Sequence, residues 1–225
     1  MGRKMISLTK NNELKGYKSL DVYPEVAHFV TTRHEGISTG AYGSFNCSPY
    51  TNDSCMNVNR NQSWLFQCMN HQIKEFFIPE QSHGCASLII NESFFKDSLE
   101  MRRLLLRGMD ALITNVPGYC VCVTTADCVP VLLYDKKQHV VAAVHAGWKG
   151  TVKHIVSHVM DHLNQKFGTQ GEDVVACIGP SISLESFEVG DEVYDAFKES
   201  GFDMSLISMK KEETGKYHID LWEAN

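Results

Sequence analysis

Between Val121 and Thr151 two apolar, β-branched runs, Val129–Tyr134 and Val140–His145, flank one short polar segment, Asp135-Lys136-Lys137-Gln138. That pattern reads as an antiparallel hairpin. With the turn centred on Lys136-Lys137, paired residue numbers sum to 273, so Tyr134 faces His139 and Cys128 faces His145. Directly opposed residues hold their Cβ atoms about 5 Å apart, close enough for a thiolate and an imidazole to share an ion or a proton. Lys-Lys is not a favoured two-residue turn, and a one-residue slip would send a side chain to the other face.

Other short apolar runs bounded by turn residues read as strands: Val26–Thr31, Ser87–Ile90, Ala111–Thr114, Cys120–Thr124 and Val174–Ile178. A helix is expected over Thr151–Phe167, where Val152, Ile155, Val156, Val159, Leu163 and Phe167 form one stripe. Weaker helical patterns cover Met56–Met69 and Val189–Glu199. No repeat or Pro/Gly/Ser linker divides the 225 residues. The expectation is therefore α/β of the α+β type, a single compact domain over residues 1–225 with mixed β-sheets flanked by helices.

Charge and cysteine content narrow the partners and the compartment. Lys and Arg number 21 against 27 Asp and Glu, a net charge of −6, which argues against broad nucleic-acid binding. No apolar run approaches the ~20 residues that span a bilayer, and Met1–Lys10 lacks the apolar core of a secretion signal. Several of the 8 Cys lie inside strand-like runs, where a reduced thiol behaves as a small hydrophobe. A cytoplasmic protein without a membrane partner is expected. The oligomeric state is left open.

A zinc ion that does chemistry takes three protein ligands and leaves a position free. His83, between a helical region and a strand and beside Gly84, is the best third candidate after Cys128 and His145. His154, His158 and His162 recur every four residues on the polar helix face and read as a solvated surface. Gly147-Trp148-Lys149-Gly150-Thr151 runs into the long helix, with Thr151 as its N-cap and Lys149 nearby, an arrangement that suits either an anion or an ordinary capped helix. Arg33 is either a second positive contact or a surface residue. Asp127, adjacent to Cys128, is either an acid/base or a loop carboxylate bonded to the backbone. Cys128 and His145 equally suit a buried small residue and a core histidine, or the nucleophile and base of a metal-free hydrolase.

The segments T-T-R-x-E-G-I-S (31–38), S-F-N (44–46), Q-S-H-G (81–84), D-A-L-I-T-N (110–115), T-A-D-C-V-P-V-L-L (125–133), V-H-A-G-W-K-G-T (144–151) and I-G-P-S-I (178–182) follow one another as in the YfiH family, also called the laccase-domain or polyphenol oxidoreductase family. The resemblance implies a compact α/β fold of mixed sheets and a zinc site on His83, Cys128 and His145, with copper as a possible alternative metal. It implies a purine nucleoside enzyme that phosphorolyses adenosine, inosine and 5′-methylthioadenosine and deaminates adenosine, with nucleoside and phosphate as its small-molecule partners. Arg33, Asn46, Gln81, Lys149 and Thr151 are then candidate substrate or phosphate contacts, and Cys128, Asp127 and Lys149 candidate catalytic groups. An older assignment in the family is a copper-dependent laccase. This chain has no H-x-H pair, as multicopper sites usually do, and lacks the H-x-E and P-C-x-x-C of the usual zinc deaminases. The family pattern continues beyond Asn225 through a further helix and a Cys-Thr-containing stretch, so that C-terminal segment is expected to be missing from this chain.

Overall fold

A computed structural model describes residues 4–69 and 73–225 of the protein. Its centre is a five-stranded sheet built from β1 (Ser87–Ile90), β2 (Ala111–Thr114), β3 (Val129–Asp135), β4 (Val140–Ala146) and β5 (Val174–Ile178). The strand order is β5-β3-β4-β2-β1; β1 and β2 run parallel, and every other pair is antiparallel. Three smaller sheets surround it: Met5–Ser7 with Leu14–Tyr17 and Val30–Thr31, Glu75–Phe77 with Tyr119–Val121, and Glu188–Val189 with Tyr217–Ile219 and Ser208–Lys210. This is the mixed α/β arrangement expected.

The central sheet is covered on both faces, so its strands read as nearly continuous apolar runs rather than alternating ones. Val129, Val131 and Leu133 of β3, with Val140, Ala142 and Val144 of β4, pack under Ile155, Val159 and Leu163 of the helix Ile155–Phe167. Val193 and Phe197 of the helix Asp191–Glu199 complete that layer. On the other face Leu112 and Ala143 meet Phe77, Phe94 and Val121, while Tyr134 and Cys177 meet Tyr17 and Leu20. Each fully buried Val or Leu contributes roughly 1.5–3 kcal/mol, so the two layers hold the sheet rigidly in place.

Several expectations are corrected. The hairpin register is shifted: Asp135 pairs with Val140 and Pro130 with His145, so paired numbers sum to 275. The cause lies in the turn. Asp135 Oδ1 accepts the backbone N–H groups of Lys137 (2.8 Å) and Gln138 (2.9 Å), which favours a four-residue turn over a Lys-Lys one. His139 closes it in the left-handed region (φ 52°), and Tyr134 opposes Val141 although its hydroxyl still meets His139 Nδ1 at 2.9 Å. Because side chains alternate with period two, a shift of two leaves Cys128 and His145 on the same face, diagonal rather than opposed.

The long helix is interrupted. A short helix, Trp148–Val152, is capped by Gly147, and Ile155–Phe167 begins only after His154, which is left-handed (φ 55°). His154 is held there by its N–H to Thr151 O, its Nε2 contact with Ser200 O and its stacking on Phe202. Thr151 is therefore not an N-cap. Its buried hydroxyl donates to Gly147 O and accepts from Asn225. The strand expected over Val26–Thr31 is reduced to Val30–Thr31, and Cys120–Thr124 becomes Tyr119–Val121. The helices Cys55–Cys68 and Asp191–Glu199 fall within two residues of expectation. No helix among the described residues is long and apolar enough to cross a membrane.

Candidate metal centre

The hairpin brings the N-terminal end of β3 beside the C-terminal end of β4. Cys128 precedes β3, His145 is the penultimate residue of β4, and His83 reaches them from the loop that leads into β1. Their ligand atoms all lie within 4.8 Å of one another. The His83 and His145 rings stand edge to face, 4.8 Å between centroids. His83 is exposed, Cys128 half-buried and His145 buried, so the cluster is rooted in the sheet and open on one side. Two imidazoles and a thiolate are borderline-soft donors, suited to zinc or copper rather than to magnesium or calcium.

One carboxylate organises the trio. Asp110, just before β2 and wholly buried, accepts His145 Nδ1 (2.8 Å) and the backbone N–H of His83 (2.9 Å) on Oδ1. Its Oδ2 accepts from Gly84 N (2.7 Å) and from the Ser82 N–H and hydroxyl. With Nδ1–H committed to Asp110, His145 presents Nε2 to the cluster, the usual way a ligating histidine is oriented. Burial would raise the Asp110 carboxyl, but the hydrogen bonds from His145, Gly84 and Ser82 hold it at about 2. Burial would depress His145, yet the Asp110 hydrogen bond and the neighbouring Cys128 sulfur carry it to about 9. His83 itself is held in the left-handed region, φ 58°.

Gly147 shows that space is reserved among the three. One step beyond the pair Val129↔Ala146, it stands opposite Cys128. A Cβ there would lie 3.0 Å from Cys128 Sγ, 3.2 Å from His83 Cδ2 and 3.6 Å from His145 Cε1. Its φ of −72° is open to any residue, so the constraint is steric. The donor set, the ordered imidazole and this gap fit a bound metal ion. Gly147→Ala is expected to keep the fold and weaken metal retention by about 10-fold, the scale of a disturbed ligand shell, as measured by competition with a chelator.

The cluster opens into a cleft of about 1470 Å³ whose lining includes Arg33, Asn46, Gln81, His83, Cys128 and His145. Three candidates from the sequence thus share one cavity with the trio. Gln81 clamps the segment leading to Cys128: its carbonyl accepts the Thr124 N–H (2.7 Å) and hydroxyl, and its amide donates to Thr124 O (2.8 Å). Exposed Arg33 donates to Gly43 O at 2.9 Å. The Asn46 amide donates to Thr51 and Asp53, shaping its own loop. Asp127, Lys149 and Thr151 stand outside the lining. Asp127 is exposed and left-handed (φ 76°), with its carbonyl accepting from Ile182 N, and Lys149 is exposed with Nζ 5.5 Å from the Trp148 ring. Sequence reasoning gave no role to Asp110 and placed Gly147 only in the segment that starts the helix. The signal for Asp110 was a lone carboxylate heading the apolar run Ala111–Ile113.

The family model described as multi-copper polyphenol oxidoreductase laccase matches residues 27–225. The chain belongs to this family, the YfiH or laccase-domain family. A purine nucleoside phosphorylase from Bacteroides thetaiotaomicron is 56% identical over 98% of this chain and 82% of its own length. A protein named adenosine deaminase RL5, from an unknown prokaryotic organism, is 35% identical over the same shares. Among solved structures, YfiH of Bacillus licheniformis aligns with TM-score 0.77 and 27% identity, covering 87% of this chain and 73% of that one. YlmD of Geobacillus stearothermophilus aligns with TM-score 0.84 and 24% identity over 98% and 82%, a likeness of fold.

Proposed function

We propose that the protein is a zinc-dependent purine nucleoside phosphorylase that also deaminates adenosine. The observation that carries the reading is the convergence of His83, Cys128 and His145 on one side of a cleft large enough for a nucleoside and a phosphate together. The names of the 56% and 35% identical relatives support the two activities. Adenosine, inosine and 5′-methylthioadenosine are the expected nucleosides. The protein is expected to work in the cytoplasm.

In phosphorolysis a phosphate oxygen bonds to C1′ as the C1′–N9 bond breaks, and its electron pair leaves with the purine, which takes up a proton. The products are the free base and ribose 1-phosphate. Zinc, when bound, supplies Lewis acidity. The chain's own residues do the rest. Arg33, on the cleft wall, orients the phosphate, and Lys149 adds positive charge from outside the lining. Asn46 and Gln81 border the substrate space, Gln81 by holding the Thr124–Cys128 segment in position. Thr151 acts through the short helix it braces against Gly147. Asp127, next to Cys128 in the chain but outside the lining, is the candidate carrier of the transferred proton and would have to reach it from the cleft's edge. In deamination water adds at C6 of adenosine and ammonia departs, leaving inosine.

Copper-dependent phenol oxidation is the reading that the family description favours, with copper then in place of zinc. The described residues hold one cluster of three potential ligands, fewer than several coppers need. A metal-free Cys128–His145 hydrolase would survive chelation and lose activity on alkylation of Cys128. Incubation with adenosine, with and without phosphate, separates these readings by product. Adenine formed only with phosphate is expected, together with some inosine. Absence of both products would overturn the assignment.

A further inference from the structure

The cleft is longer than the chemistry at its metal end requires. Its floor is one face of the β3–β4 hairpin: Cys128, Pro130, Leu132 and Tyr134 alternate along one strand and line it, with Val141 and His145 on the other. Cys128 and His145 stand at one end. Tyr134 stands at the other, six strand residues or about 20 Å away. The cavity volume of about 1470 Å³ also exceeds the roughly 300–1000 Å³ that usually holds one small molecule.

The far end is polar and anionic. The buried Tyr134 hydroxyl donates to Glu25 Oε1 at 2.7 Å and meets His139 Nδ1 at 2.9 Å. Glu25 and His139 line the cleft too, and their side chains are 44% and 67% exposed, so a ligand can reach both. The Tyr134 hydrogen bond holds the Glu25 carboxyl below its usual range. Among the described residues, the one ion-pair contact of Glu25 is with His139, Nδ1 at 3.9 Å; no Lys or Arg neutralises it.

We propose that Glu25 is a specificity-determining residue for nucleosides extended at C5′ by an apolar chain that ends in an amine, the ammonium seated against its carboxylate. This rests on the purine nucleoside reading above. Phosphorolysis acts at C1′ and deamination at C6, so ribose and base both face the metal end, and C5′ is the position left to carry a chain along the floor. Leu132 and Val141, both half-buried, give that chain apolar contact. A neutral thioether link suits such a floor, and the bond broken is still C1′–N9.

The test uses the full chain, phosphate and two probes that differ only at the tip: 5′-deoxy-5′-(3-aminopropylthio)adenosine and 5′-deoxy-5′-(n-butylthio)adenosine. The amine is expected to give about 5-fold higher kcat/KM for adenine release, the upper range for an ion pair within reach of solvent. That preference should shrink as salt is added. Glu25→Gln should abolish it, and Glu25→Lys should reverse it. Both probes share one nucleoside, so any general disturbance in a variant cancels in the ratio. Equal kcat/KM in the parent, a preference that survives both substitutions, or cleavage of adenosine but of neither probe would overturn the proposal and leave the nucleoside reading standing. No adenine from adenosine or from either probe would overturn that reading, and this proposal with it.

Discussion

Asp110→Ala is expected to lower stability by about 3–5 kcal/mol and to empty the metal centre, because removing one partner of a buried ion pair strands the other. The side chain accepts from His145 Nδ1, from the His83, Gly84 and Ser82 N–H groups and from the Ser82 hydroxyl. All but the Ser82 hydroxyl, which also reaches Gly108 O at 3.1 Å, lose their acceptor together. His145, only 2% exposed, has no water to replace it. Urea unfolding and metal content by mass spectrometry read the two effects separately. Asp110→Asn keeps the shape but turns an amide toward N–H donors. It should cost less stability and still reduce metal affinity about 10–100-fold, the range for an altered outer-shell partner. An Asp110→Ala protein that melts and retains metal like the parent would refute the role given to this carboxylate.

Alanine at any one of His83, Cys128 and His145 is expected to abolish metal retention through purification, and phosphorolysis with it. The three differ in what else they disturb. His83 is exposed, so His83→Ala should change the stability of the metal-free protein by no more than about 0.5 kcal/mol. His145→Ala leaves the Asp110 charge buried without its partner and should cost about 3–5 kcal/mol. The contrast separates binding from folding: His83→Ala is the variant in which lost activity reports the ion alone. Loss of metal at two positions but not the third would mean that the third residue is not a ligand.

Much of this was legible in the sequence because it depends on periodicity. The central strands appear as β-branched runs, and the face shared by Cys128 and His145 survives a register shift of two. The shift itself was hidden in Asp135, whose side chain closes the turn in place of a backbone pattern. The break at His154 was equally hidden, because it is held by Ser200 and Phe202, distant in the chain. The same holds for the centre. Three candidate ligands, two histidines and a cysteine, can be picked out residue by residue from their neighbours. Asp110 and Gly147 cannot, since their importance lies in what surrounds them after folding: a ring of converging donors in one case and a gap in the other.

The anchoring of two ligands on a single oxygen has a mechanical corollary. Asp110 Oδ1 holds His145 by its ring and His83 by its main chain, so one carboxylate sets where both residues stand relative to β2. Cys128 is positioned separately, through the segment that Gln81 clamps, so the trio has two independent anchors.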